Sequence, residues 1–237
     1  MHSLRLQDKL GGQAQAPAHG PATLAEVFAE TATDAAAVGY VLTQLPRGAA
    51  PVLWVQDRLS RREAGRPYLA GLSQFGLAHT PIILVDLSRA RDVLWAMEDG
   101  LRCRALAAVV GEVWGDPPVL DFTATKRLAL RSEAAKVPCW LVRRAATANL
   151  SAARDRWRIA SAPSARNPHD ARAPGAARWT LDLFRSRRRK PDAWVVQHDG
   201  GGQSKAGGTP DRLDQPAAVR HGPLAAGNGP AGHRATG

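Results

Sequence analysis

The run Ala105-Leu106-Ala107-Ala108-Val109-Val110-Gly111-Glu112-Val113-Trp114 restricts the fold of this chain more than any other stretch. Its first six residues are all apolar, and nothing in it alternates. A strand with one face in water alternates, whereas a strand covered on both faces, as in a parallel sheet, reads as a continuous apolar run. Helices must then lie on either side. Val93, Leu94, Met97 and Leu101 share one face at helical spacing within a segment running from the cap candidate Ser88 to about Cys103. A second helix is expected from Asp121 through Ala135.

Other segments extend the alternation. Residues 51–57, 81–86 and 137–142 read as further buried strands, and 34–45 as a helix with Asp34 as its N-cap. Residues 24–28 read as a short amphipathic turn of helix, 58–62 as a basic turn, and 63–75 as a helix interrupted by Gly65, Pro67 and Gly71. Strand and helix joined by short connections predict an α/β fold, a right-handed, mostly parallel sheet flanked by helices. Beyond 143 the pattern changes. Residues 156–160 form a short strand, and 163–175 a Pro/Ala/Arg loop expected to be mobile. Residues 179–184 and 194–198 alternate as a C-terminal antiparallel hairpin with a strongly basic turn, Arg185-Ser186-Arg187-Arg188-Arg189-Lys190. One domain is therefore expected over 22–198, with a flexible arm at 1–21 and a disordered Gly/Pro-rich tail at 199–237.

The net charge is +11. Residues 22–160 carry about four of these charges and the shorter stretch after 160 about six. A basic surface attracts polyanions, nucleic acid first among them. The basic residues are nearly all Arg beside abundant Ala, Gly and Pro, a bias that weakens the inference. No segment reaches the roughly 18 consecutive apolar residues that span a membrane, and the N-terminus lacks the charged-then-apolar order of a secretory signal. A cytoplasmic protein is expected, with Cys103 and Cys139 as buried, reduced thiols.

A phosphate-binding loop needs glycines that let the backbone cradle phosphates, a lysine, and a Ser or Thr for magnesium. It should precede the first helix, near Thr31-Ala32-Thr33-Asp34, where there is no lysine and no glycine run. No Gly-Lys pair occurs anywhere in the chain. Autonomous ATP hydrolysis is not expected, nor is any cofactor. Glu112, at the far end of the apolar run, falls where open α/β sheets place their ligand crevice. It reads either as a metal-orienting or water-activating carboxylate, or as a helix-cap or salt-bridge partner on an edge loop. Without a phosphate loop the second reading is preferred. The seven histidines are scattered, and no Cys-x-x-Cys or His-x-x-x-His spacing suggests zinc. Of seven tryptophans, Trp54, Trp95 and Trp140 fall inside apolar elements and are expected in the core. Trp157 and Trp179 have Arg neighbours and suit base stacking and peripheral packing equally.

The order and spacing of several segments resemble the ImuA family. They are Asp92 to Cys103, Ala107 to Asp116, Pro51 to Trp54, Glu63 to Tyr68, Leu120 to Ala124, Arg127 to Leu130, Arg156 to Arg158 and the closing hairpin. Together they span about residues 22–199. The resemblance implies a degenerate RecA-like ATPase core acting as an accessory in damage-induced mutagenesis. The implied partners are an ImuB-like inactive Y-family polymerase homologue, RecA, an error-prone replicative-type DNA polymerase, and DNA itself, with no membrane. It also implies association with the nucleoid on DNA damage. It sets Gly111 where RecA's strand ends in a magnesium-orienting aspartate. It sets Arg185-Ser186-Arg187 where RecA-like filaments carry a Lys-x-Lys pair that reaches the neighbouring subunit's ATP. Arg185 and Arg187 are thus candidate phosphate contacts, and Arg188, Arg189 and Lys190 candidate nucleic-acid contacts. A solvated basic turn is the simpler reading of all five. A SulA-like cell-division inhibitor, a plain DNA-binding module and an ATPase with an unorthodox site are the alternatives.

Overall fold

A computed structural model describes residues 22–198, together with the backbone of three short strands at Leu4–Gln7, Gln13–Ala16 and Leu213–Asp214. Otherwise the expected arm at 1–21 and tail at 199–237 lie outside the described residues. In chain order the body comprises β1 (Leu24–Ala29), α1 (Ala36–Gln44), β2 (Val52–Asp57), α2 (Arg58–Ala64), a 3-10 helix (Leu69–Phe75), β3 (Ile82–Leu87) and α3 (Ala90–Gly100). It continues through β4 (Ala108–Trp114), α4 (Phe122–Ala135), β5 (Cys139–Arg144), β6 (Asp155–Ala162), β7 (Ala177–Ser186) and β8 (Asp192–His198).

The eight strands form one sheet in the order β8-β7-β6-β1-β5-β4-β2-β3, and Leu213–Asp214 pairs outside β8. Strands β6, β1, β5, β4, β2 and β3 run parallel. β7 is antiparallel to both β6 and β8. The mostly parallel α/β sheet with a C-terminal antiparallel hairpin is therefore the observed architecture.

Each face of the sheet is covered, as the central run demanded. Val27, Trp54, Val110, Trp140, Val142, Ile159 and Leu181 pack with Ala37, Tyr40 and Val41 of α1. Leu24, Val55, Val109, Val113 and Leu141 pack with Val93, Leu94 and Met97 of α3 and Leu128 and Ala129 of α4. Gly111 lies on this second face because α3 comes too close for a side chain: a Cβ there would sit 2.1 Å from Met97 Sδ. Asp121 caps α4, its Oδ1 accepting the Ala124 amide at 2.7 Å.

Several expectations are corrected. Residues 24–28 are not a helical turn but most of β1, hydrogen-bonded to β5 on one side and β6 on the other, with every residue buried. Glu26 in mid-strand imitates helical amphipathicity; the charge is tolerated because Arg156 Nε donates to its Oε2 at 2.7 Å. The basic turn at 58–62 is instead the helix α2, started by Asp57 Oδ1 accepting the Ser60 amide at 2.7 Å. It ends at Gly65, whose φ of 81° takes the chain out of the helix. The helix expected over 63–75 is thereby split, and only a 3-10 segment follows Pro67. Helix α3 begins after Arg89, not with Ser88 as cap, and ends at Gly100. Trp95 is not core: the stripe Val93, Leu94, Met97 faces the sheet and leaves Trp95 69% exposed. Cys103 is exposed, whereas Cys139 is buried. Trp157 and Trp179 are both buried, which settles them as packing residues. The 163–175 loop is drawn together by a bridge between Arg166 and Pro174.

Candidate functional site

Strand β1 delivers the chain to the C-terminal edge of the parallel strands at the centre of the sheet, and α1 begins seven residues later. The connection holds Thr31-Ala32-Thr33-Asp34, the position at which a phosphate loop was sought. Helix N-termini attract anions through their free amides. Here the anion is the chain's own. Asp34 Oδ1 accepts the Ala36 amide at 2.8 Å and the Ser161 hydroxyl at 2.7 Å, while Oδ2 accepts the Ser161 amide at 2.7 Å. Partial burial pushes the Asp34 carboxyl up, but these three hydrogen bonds and the charge of Arg144 outweigh it and hold the carboxyl below its ordinary value.

The cation is internal too. Arg144 closes β5, and strand alternation sends its side chain to the α1 face and that of Arg143 to the opposite face. Arg144 Nη1 donates to the carbonyls of Ala32 at 3.1 Å and Asp34 at 3.2 Å, and its Nε donates to Glu112 Oε2 at 2.9 Å. Glu112 Oε1 accepts Trp54 Nε1 at 2.7 Å and Gln56 Nε2 at 2.9 Å. The carboxylate is 1% exposed. Burial pushes its pKa up, against the opposing pull of Arg144 and the three hydrogen bonds. The salt-bridge reading of Glu112 is the one the contacts match, although it stands in an inner strand and not on an edge loop. With both oxygens engaged and no exposure, it is poorly placed to activate water.

Gly111 faces Met97 on the other side of the sheet from the β1–α1 connection. Glu112 alone of the two shares a face with that connection. Across the sheet, Arg143 Nη2 donates to Asp116 Oδ1 at 2.6 Å and to the Gly115 carbonyl at 3.2 Å, and lies over the Phe28 ring. Arg144 and Gln56 escaped sequence reasoning. The signal was present in Arg143-Arg144 closing an apolar strand, since two successive arginines there must face opposite ways and each needs a buried partner.

The basic turn lies elsewhere. Because β7 runs antiparallel to β6, its end at Ser186 lies beside Asp155, at the N-terminal edge of the parallel strands. The turn and the β1–α1 connection therefore occupy opposite ends of the sheet. Asp155 builds the turn: its Oδ1 accepts the Ser186 hydroxyl at 2.6 Å and its Oδ2 accepts Arg188 Nη2 at 3.1 Å. Ser186 Oγ in turn accepts the amides of Arg188 and Arg189 at 3.1 and 3.2 Å. Arg187, Arg188 and Lys190 are exposed, while Arg185 and Arg189 are half-buried. Among the described residues no group of three His, Cys, Asp or Glu side chains could hold a metal ion, and no helix is long and apolar enough to cross a membrane.

No family model matches the chain. Curated proteins do. The "Protein ImuA" of Caulobacter vibrioides strain NA1000 / CB15N is 32% identical over 183 residues, covering 71% of this chain and 70% of that protein. The "Protein ImuA" of strain ATCC 19089 / CIP 103742 / CB 15 matches to the same extent. An identity of this size over most of both chains, on a sheet of the expected class, places the chain in the ImuA family, which is associated with the damage-induced mutagenesis machinery.

Proposed function

We propose that this protein is a non-catalytic accessory factor of damage-induced, mutagenic translesion DNA synthesis. Its scaffold descends from a RecA-like nucleotide-binding core, and it serves as an adaptor between a RecA-type filament, an ImuB-like inactive polymerase homologue and an error-prone DNA polymerase. The observation that carries the non-catalytic part is the filled β1–α1 connection. Asp34 takes the Ala36 amide that begins α1, Arg144 takes the carbonyls of Ala32 and Asp34, and Glu112 is spent on Trp54, Gln56 and Arg144. Groups that a triphosphate and its metal would engage already have partners within the chain. The adaptor part rests on family membership. Association with the nucleoid after damage follows from it.

Affinity purification of the tagged full chain from DNA-damaged cells, with partners identified by mass spectrometry, tests the adaptor role. Recovery of an ImuB-like protein and RecA is expected. Recovery of a tubulin-like division protein in their place would support the SulA-like alternative and end the adaptor reading.

Within this reading the basic turn docks on a RecA filament end, where Arg185 and Arg187 meet a neighbour's nucleotide. Guanidinium forks suit phosphate geometry, and the turn lies at the far end of the sheet from the chain's own filled connection. Unchanged binding of Arg185→Ala/Arg187→Ala to ATP-loaded RecA would dispose of this contact. Direct contact of Arg188, Arg189 and Lys190 with DNA is the second reading, favoured by the exposure of Arg188 and Lys190. Phosphate contacts would make such binding fall steeply with salt.

A further inference from the structure

A cavity of about 570 Å³ opens at the N-terminal edge of the sheet, between the start of β1, the end of α4, the start of β6 and the β7–β8 turn. Its lining brings together four cations, Lys136, Arg154, Arg187 and Arg188, against one carboxylate, Glu133. That carboxylate is internally spent: Glu133 Oε1 accepts Arg154 Nε at 2.6 Å and the Thr23 hydroxyl at 3.1 Å. Arg188 is steadied by Asp155, and the turn is tied to β6 by the Arg187 amide donating to the Arg154 carbonyl at 3.0 Å. No contact of the Lys136 ammonium or the Arg187 guanidinium with another described residue is seen. Both stand at the cavity with their charge uncommitted.

Scattered surface arginines are ordinarily solvated and need no ligand. These differ in that they converge from α4, β6 and the turn on one concavity, whose volume lies in the range of small-molecule sites. Between the charged heads the exposed lining is mostly apolar, with Ala22 and Thr23 its uncharged residues. We infer that this cavity is an anion site that takes a nucleotide, its phosphate held by Lys136 and Arg187 and its base over the apolar part of the lining beside Ala22 and Thr23. The phosphate comes from a free nucleotide or from a nucleic-acid strand. The site is separate from the filled β1–α1 connection and stands whether or not the adaptor role holds.

Lys136 offers a clean test because it occupies the left-handed C-cap of α4, with φ 59°. Glycine favours that conformation, so Lys136→Gly removes the charge without harming the fold. Lys126→Ala removes an equal charge from the exposed face of the same helix, outside the cavity lining. Calorimetric titration of the full-length protein with ADP, and separately with a thymidine oligonucleotide, at low salt reads both. The site requires that Lys136→Gly weaken binding about tenfold, the worth of one charge-assisted contact. Lys136→Gly with Arg187→Ala must weaken it further, and Lys126→Ala must leave it within about twofold. Binding of ADP alone identifies a free nucleotide as the ligand; binding of the oligonucleotide, with or without ADP, identifies the strand. No binding of either, or equal losses from Lys136→Gly and Lys126→Ala, overturns the proposal.

Discussion

Glu112 and Arg144 are 1% and 3% exposed at their side chains and meet at 2.9 Å near the centre of the sheet. Burying two charges costs several kcal/mol of solvation, and their attraction only offsets this when the remaining donors and acceptors are filled. Trp54, Gln56 and two backbone carbonyls fill them here. Removing one partner strands the other, so Arg144→Met is expected to cost about 3–5 kcal/mol. Adding Glu112→Gln should recover most of that loss, measured as urea midpoints of the two variants. Equal losses would mean that the pair is not coupled. Asp34 behaves differently because its carboxyl is depressed in the folded chain. Its contribution is present above the ordinary value of 3.8 and fades as the pH falls through the lower folded value. Asp34→Ala should therefore cost about 1–2 kcal/mol at pH 7, with the difference from wild type shrinking below about pH 3.8. A gap that stays constant down that range would mean that the carboxylate charge has no part in the contacts with Ala36 and Ser161.

At the scale of elements, Gly111 sets how closely α3 lies on β4. Gly111→Ala places a Cβ 2.1 Å from Met97 Sδ and must push the helix or the Met side chain aside. A loss of about 1–3 kcal/mol is expected, partly restored by Met97→Ala, which clears the space. No loss would mean that α3 slides freely. The inner strands β2, β4 and β5 were legible because a short, continuous apolar run between turn signals fits a strand covered on both faces and little else. Strand β1 was not. Its Glu26 broke the run, and its acceptability depends on Arg156, 130 residues away in sequence, which no local pattern can reveal. The same limit hid the role of Arg144, whose acceptors lie in β4 and in the β1–α1 connection. Lys136 and Arg154 were missed as cavity residues because only the fold brings α4 and β6 beside the turn. Trp95 was misplaced although the stripe of Val93, Leu94, Met97 and Leu101 already turns it away from the sheet. The hairpin was legible from period-two alternation, and Asp155 and Ser186 supply the turn structure that its arginines alone could not announce.

Across the whole molecule the two ends of the sheet differ in chemistry. The C-terminal edge, where a nucleotide-binding α/β protein is open, is closed by Asp34, Arg144 and Glu112 satisfying one another and the backbone. The N-terminal edge gathers basic groups around a cavity, with Lys136 and Arg187 uncommitted among the described residues. The missing phosphate loop was readable directly from the absence of glycines and lysine at 31–34; that the chain's own groups occupy the position needed the structure. On the proposed function, a scaffold of this kind presents surfaces to partners without turning over a nucleotide. The most direct check is phosphate release from millimolar ATP by the purified full chain beside its Glu112→Gln variant, both shown to be folded by circular dichroism. No release above background from either protein is expected; saturable hydrolysis by the wild type that Glu112→Gln abolishes would contradict it.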